Sequence, residues 1–167
     1  DQPRSRGLGD VYKRQIMKVV LQRVTSASVN VDKNLISKID HGLLLLWGIE
    51  KGDTFEDIET LTKKILKLRI FADEDGKMNK SIIDVSGEIL LVSQFTLNGD
   101  ISKGNRPSFV NSEDPEIAKQ MIEDVKTEFS NYLNVKEGSF GALMKVSLVN
   151  DGPLTMYIQS KNGNMIT

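Results

Sequence analysis

The chain has 167 residues, of which 39% are hydrophobic and 27% charged, with a net charge of −1; these are ordinary values for a globular domain, enough for one substantial core and too few to divide comfortably into two. It contains no cysteine, which excludes a disulfide, a thiol nucleophile and a cysteine-ligated zinc site, and fits a cytoplasmic setting. The apolar run Gly42-Leu43-Leu44-Leu45-Leu46-Trp47-Gly48-Ile49 falls far short of the roughly 20 residues that span a bilayer, so it is expected to be a buried strand and no membrane partner is expected.

Residues 1–16 stand apart. They carry Arg4, Arg6, Lys13 and Arg14 against Asp1 and Asp10, with no apolar periodicity and no lysine-led apolar stretch of a secretory signal. The segment reads as a translated cloning or sequencing scar outside the fold, with a disordered native arm as the alternative. Without it the charge of the remaining domain, residues 17–167, is −3. A nucleic-acid partner then has to be held by a local basic patch, because net charge does not attract one.

From Met17 the pattern is regular. Lys18 to Val24 and Ala27 to Val31 read as two strands joined by a bend or bulge at Thr25-Ser26, and Leu35 to Ile39 as their partner after the turn Asp32-Lys33-Asn34. Leu43 to Ile49 is the buried strand, ended by Lys51-Gly52-Asp53, where Asp53 or Thr54 is placed to cap a helix over 54–68. Ile58, Leu61, Ile65 and Leu68 give that helix one apolar stripe. Asp73-Glu74-Asp75-Gly76 is a turn; it lacks the downstream glutamate of a calcium loop. Glu88 to Leu97 reads as a strong strand, 98–112 as a loop, and Asp114-Pro115 as the start of a second helix whose buried face is Ile117, Met121, Val125 and Phe129. Ala142 to Val149 and Thr155 to Gln159 are closing strands around Asn150-Asp151-Gly152-Pro153. The order predicts an α+β fold built mainly on antiparallel sheet with two packed helices.

The only histidine, His41, sits at the mouth of a strand and reads as a turn residue, which leaves no evident base for a serine-hydrolase triad. No phosphate loop and no metal-ligand cluster stands out, so no cofactor is expected. Ser93-Gln94-Phe95-Thr96 is more informative. Three polar residues end an apolar strand, with Gln94 and Thr96 on one face and Ser93 and Phe95 on the other. This pattern fits either a strand that opens into a pocket or a strand end with satisfied polar groups. Asn150-Asp151-Gly152-Pro153-Leu154-Thr155 reads either as a hairpin loop or as a rigid tip that offers carbonyl oxygens to a ligand, since glycine permits close approach and X-Pro is the common site of a cis bond.

Together these two segments resemble the signature motifs of the D-aminoacyl-tRNA deacylases. Met17-Lys18-Val19-Val20-Leu21-Gln22-Arg23-Val24 and Lys103-Gly104-Asn105-Arg106-Pro107-Ser108-Phe109 match in the same order, and the likeness runs from Met17 to Ile158. Leu154 stands where the family more often has valine. The resemblance implies a β-barrel-like α+β homodimer that hydrolyses the ester of D-aminoacyl-tRNA, and of mischarged glycyl-tRNA, while rejecting L-aminoacyl-tRNA. It implies catalytic roles for Ser93, Gln94, Phe95 and Thr96, with backbone N–H groups as an oxyanion hole and the RNA 2′-hydroxyl assisting. Thr96 is nucleophile or orienter, and the absent base favours orienter. Phe95 either packs on substrate or fills the core. Gly152 and Pro153 are implied as a cis pair inserted across the dimer to select chirality, braced by Arg23, whose alternative is a surface salt bridge. Lys103 and Arg106 are implied tRNA phosphate contacts, with a solvated loop as the alternative. Two other functions fit these residues: a non-catalytic protein that binds the tRNA acceptor end, and a different hydrolase on the same fold.

Overall fold

The computed structural model describes residues 15–166. Residues 1–14 of the atypical N-terminal segment lie outside the described residues. Its last two, Gln15 and Ile16, pack on the domain: Gln15 donates to Asn162 at 3.0 Å and the Ile16 amide to the Glu50 carboxylate at 2.6 Å.

The centre of the molecule is β1 (Met17–Val31), a single 15-residue strand where two were expected. It pairs antiparallel with β2 (Asn34–Ile39), β3 (Gly42–Gly48) and the long β8 (Lys145–Lys161). The expected bend survives as two irregularities against β8, on either side of Val24. From β3 the chain passes through α1 (Phe55–Lys67) and a small hairpin of β4 (Phe71–Ala72) and β5 (Met78–Lys80), and returns as β6 (Glu88–Ser93). It then crosses through α2 (Pro115–Ser130) to β7 (Val135–Glu137), and β9 (Asn164–Met165) follows β8. The seven-stranded order is β7-β6-β3-β1-β8-β9, with β2 on β1.

The sheet is mixed, which corrects the expectation of a mainly antiparallel one. β3 with β6 and β6 with β7 are parallel. The reason is in the connections: each of these pairs is joined by a long crossover carrying a helix, which brings the chain back to the end where it started. The two helices pack on one face. Ile58, Leu61 and Ile65 of α1 and Ile122, Val125 and Phe129 of α2 meet Val19, Leu21, Leu43, Leu45, Trp47, Ile89 and Leu91. On the other face the sheet curls into a half-barrel around Val24, Ala27, Val29, Ile39, Leu44, Leu90 and Val92. β3 is therefore covered on both sides, which is why its sequence is continuously apolar rather than alternating.

Both helices begin as expected. Thr54 caps α1, with its amide donating to Asp57 at 3.0 Å, and Asp114 caps α2 by accepting from the Glu116 amide at 3.1 Å. The buried face of α2 differs. Ile117 is 52% exposed and Ile122 is buried in its place. A strict four-residue step advances about 40° per step around a helix, so the far end of such a row rotates out of the core.

Candidate active site

Ser93 is the last residue of β6 and pairs with Trp47 near the end of β3. Beyond it the predicted strand does not continue. β3 ends at Gly48, so β6 loses its partner; the Gln94 amide makes a final bond to the Trp47 carbonyl at 2.9 Å and Phe95–Asn98 wind into a 3₁₀ turn. The strand-face reading of Gln94 and Thr96 is thereby corrected. The two side chains still meet, the Gln94 amide donating to the Thr96 hydroxyl, because the turn rather than a strand pleat brings them together. Among the described residues, the N–H groups of Phe95 and Thr96 have no acceptor, as expected of the first turn of a helix.

Ser93, Gln94 and Phe95 line a cavity of about 530 Å³, walled by Trp47, Ile49, Phe109, Ala118 and Phe140, with Lys51 and Glu113 also in its lining. Thr96 is exposed and lies outside that lining. A smaller recess of about 250 Å³ adjoins it through Ser93, Ile122 and Phe140. Phe95 does not fill the core. It is 59% exposed and meets the ring of Phe109 edge-on at 5.0 Å. Phe109 in turn roots the loop that carries Lys103 and Arg106. That loop is closed by reciprocal bonds between Asp100 and Ser108 at 2.8 and 2.9 Å, with both cationic residues exposed beyond the closure.

The second motif is not a hairpin. Both halves of β8 run antiparallel to the same strand: Asn150 is opposite Val24 and Thr155 opposite Gln22, so residues 151–154 form an excursion against Arg23 alone. β1 is long enough to partner both halves, and no chain reversal is needed. The Gly152–Pro153 bond is cis, and both residues are exposed. Arg23 donates through Nε to the Asp151 carbonyl at 2.8 Å and through Nη1 to the Ile70 carbonyl at 2.5 Å. Its contact with the Asp151 carboxylate, 3.7 Å, is the looser one. Asn150 holds the other side, accepting from the Leu154 amide at 2.7 Å and donating to Thr155 Oγ1 at 2.9 Å. Gly152 has φ +143°, and a Cβ there would lie 3.0 Å from Arg23 Nη2 and 2.9 Å from the Leu154 amide nitrogen. Only glycine suits that backbone at that approach.

Within one chain the two motifs are apart. Arg23 pairs with Leu43 at one end of β3 and Ser93 with Trp47 at the other, roughly 13 Å along the strand at the usual rise per residue. His41 is an exposed residue between β2 and β3, its ring edge-on to Phe71. A buried polar group whose burial the sequence did not signal lies between β3 and α1: Glu50, Asp53 and Asp57 are 6%, 8% and 0% exposed. Asp57 accepts from Ser160 and from the Gly163 amide, at 2.7 and 2.8 Å, which ties the β8–β9 turn to α1. Burial pushes the Asp53 carboxyl up to about 8, reinforced by Asp57 and Glu50, while the Glu50 amide and Lys18 pull the other way. Burial, with the Glu50 charge, also raises the Tyr157 hydroxyl. The carboxylates are close in sequence, but the partners that bury them, Ser160 and Gly163, are more than 100 residues away, so their burial carries no local signal.

The fold is an α+β domain on a curled mixed sheet, with an aromatic-walled cavity at the end of β6 that is lined by Ser93, Gln94 and Phe95. Residues 20–159 match the family model described as D-Tyr-tRNA(Tyr) deacylase, and the chain belongs to that family. It is 53% identical over 146 residues to the D-aminoacyl-tRNA deacylase of Thermosipho africanus, covering 87% of this chain and 98% of that protein. To the Syntrophus aciditrophicus protein of the same name it is 52% identical, with the same coverage. Among solved structures, the c-Myc DNA Unwinding Element Binding Protein superposes with a TM-score of 0.81 at 43% identity, over 86% of this chain and 98% of that one. A probable eukaryotic D-amino acid tRNA deacylase superposes with a TM-score of 0.69 at 16% identity, over 87% and 100%, a likeness of fold.

Proposed function

We propose that the chain hydrolyses the ester that joins a D-amino acid to the terminal ribose of tRNA, a chiral proofreading step, and that glycyl-tRNA is also accepted. The observation that carries this reading is the cavity lined by Ser93, Gln94 and Phe95, bordered by a 3₁₀ turn whose Phe95 and Thr96 N–H groups have no acceptor among the described residues. Water adds to the ester carbonyl carbon, the carbonyl oxygen gains negative charge, and the ribose oxygen leaves with a proton. The N–H groups of Phe95 and Thr96 would bind the charged oxygen, a contribution of about 3–4 kcal/mol in comparable sites. An ester leaves readily, so oriented donors and the substrate's own 2′-hydroxyl suffice without a protein base. Thr96, held by Gln94, orients rather than attacks; no base accompanies its hydroxyl. Phe95 and Phe109 offer an apolar wall for the terminal nucleoside or the amino acid.

The Gly152-Pro153 excursion is the selector in this reading. Its distance from the floor in one chain supports a homodimer in which each tip enters the partner's cavity, a self-complementary arrangement that twofold symmetry repeats. Exposed Val149 and Tyr157 flank the tip on β8 and supply apolar area for such an interface. A tip carbonyl that holds the α-amino group leaves no room for an L side chain, admits a D side chain, and has nothing to exclude in glycine. Arg23 braces the tip from behind. Lys103 and Arg106 meet acceptor-stem phosphates, and the site of action is the cytoplasm.

The test is release of tyrosine from D- and L-tyrosyl-tRNA, with sedimentation to read the assembly. D-specific release from a dimer is the expected result. Binding without release moves the reading to an acceptor-end binding protein, and equal cleavage of both enantiomers removes the chiral filter.

A further inference from the structure

The 3₁₀ turn that carries Phe95 and Thr96 is four residues long, with bonds of 3.3 Å from the Leu97 amide to Gln94 and 3.1 Å from the Gly99 amide to Thr96. So short a turn does not hold its own orientation. Its direction depends on what it is docked against, and three features dock it. Gly48 has no side chain; a Cβ there would lie 3.0 Å from Leu97 Cβ and 3.3 Å from the Gln94 carbonyl oxygen. Asn98, the last residue of the turn, is 4% exposed and donates to the Ile49 carbonyl at 2.8 Å. Its remaining oxygen accepts from the Lys18 ammonium at 3.1 Å.

Lys18 is unusually committed for a lysine. Its side chain is 13% exposed, its ammonium also donates to the Ile16 carbonyl at 3.3 Å, and it lies 3.5 Å from the Glu50 carboxylate, itself 8% exposed. A lysine at a strand end ordinarily extends its head into water. Drawing it inward costs solvation, offset among the described residues by these three oxygens. Two of the three belong to fixed parts of the domain, Ile16 and Glu50, and the third belongs to the turn. The ammonium therefore links the turn to the start of β1 and the end of β3.

We propose that Lys18, acting through Asn98, is a positioning residue for ester hydrolysis, fixing the direction in which the turn presents the Phe95 and Thr96 amides and the Thr96 hydroxyl. This rests on the deacylase reading above. Neither residue touches the cavity. Their role is geometric, and a displacement of about 1 Å at reacting groups is enough to lower a rate about 100-fold.

A double-mutant cycle tests it, with Lys18→Met and Asn98→Ala alone and together, assayed on D-tyrosyl-tRNA at a temperature where all four proteins are folded by circular dichroism. Each single variant is expected to lower kcat by roughly 10- to 100-fold with KM changed less than about twofold, and the double variant to match the weaker single rather than multiply the losses. Multiplied losses, an effect confined to KM, or an unchanged kcat each overturn the proposal. Amide hydrogen exchange gives a second readout: the Leu97 and Gly99 amides are expected to exchange faster in both single variants while Val19 on β1 is unaffected. If the wild-type chain releases no tyrosine, the deacylase reading has failed, and exchange still decides whether Lys18 holds the turn. Equal protection in wild type and Lys18→Met sinks the strut outright.

Discussion

The two signature segments are both places where a β-ladder is interrupted, and they are held in opposite ways. Ser93 to Asn98 begins where β6 runs out of partner, and it is docked on the core through Gly48, Asn98 and the buried Lys18. Asp151 to Leu154 leaves the ladder in mid-strand and rejoins it, exposed at Gly152 and Pro153 and held by the hydrogen bonds of Arg23 and Asn150. The first suits a floor whose donors must not move during a reaction. The second suits a projecting group that has to leave its own domain to meet a ligand. Damage to the first should appear in rate, and damage to the second in what is accepted.

The sharpest way to break that contrast is Gly152→Val. With φ +143° and Arg23 and Leu154 within 3.0 Å of the new Cβ, the tip must rebuild. Turnover of D-tyrosyl-tRNA is expected to fall by about 100-fold or more, with the far-ultraviolet spectrum unchanged because the core on either side is separate. Normal activity would detach the tip from the site. Thr96→Ala comes next: a kcat loss of about 10- to 100-fold is expected, well short of the roughly 10⁴-fold effect of removing a triad member. Total loss with intact tRNA binding would make Thr96 the nucleophile.

Asp53 tests stability rather than chemistry. Its carboxyl is raised to about 8 in the folded chain, against an ordinary unfolded value near 4. The folded state therefore binds the extra proton, and that contribution is fully present below about pH 4 and is lost as pH rises toward 8. Asp53→Asn is expected to flatten the decline of Tm between pH 5 and pH 8 and to gain about 1–3 kcal/mol at pH 8. A parallel pair of Tm profiles would refute it. The smallest effect belongs to the exposed loop. Lys103→Ala with Arg106→Ala should raise KM a few-fold and shallow the salt dependence of tRNA binding by roughly one to two units of log–log slope, leaving kcat alone. A change in kcat would place those residues nearer the chemistry.

Much of this architecture was legible in the residue order. The apolar run Leu43 to Leu46 announced a buried strand, Asp114-Pro115 a helix start, and Thr25-Ser26 a bend or bulge, though between two strands rather than within one, because each is a local preference that acts over a few residues. The polar cluster at the end of β6 left a pocket and a satisfied strand end both open, and the structure lines a cavity with Ser93, Gln94 and Phe95 but not Thr96. What was misread depended on partners. β6 stops at Ser93 because β3 stops at Gly48, and β8 continues through Gly152-Pro153 because β1 is long enough to pair with both halves. The parallel pairs, likewise, follow from where two crossovers deliver the chain.

By itself, then, the sequence determined the buried strand β3, the helix starts, the apolar stripe of α1 and the two motifs, all properties of neighbours along the chain. Only the tertiary structure decided that Phe95 faces solvent rather than the core, that Arg23 stands behind the Gly152 tip, and that Lys18 and Asn98, 80 residues apart, share a hydrogen bond beneath the turn. Such contacts are long-range pairings of polar side chains. They carry no period in the sequence, and they form only once the hydrophobic core has set the distance between the strands that bear them.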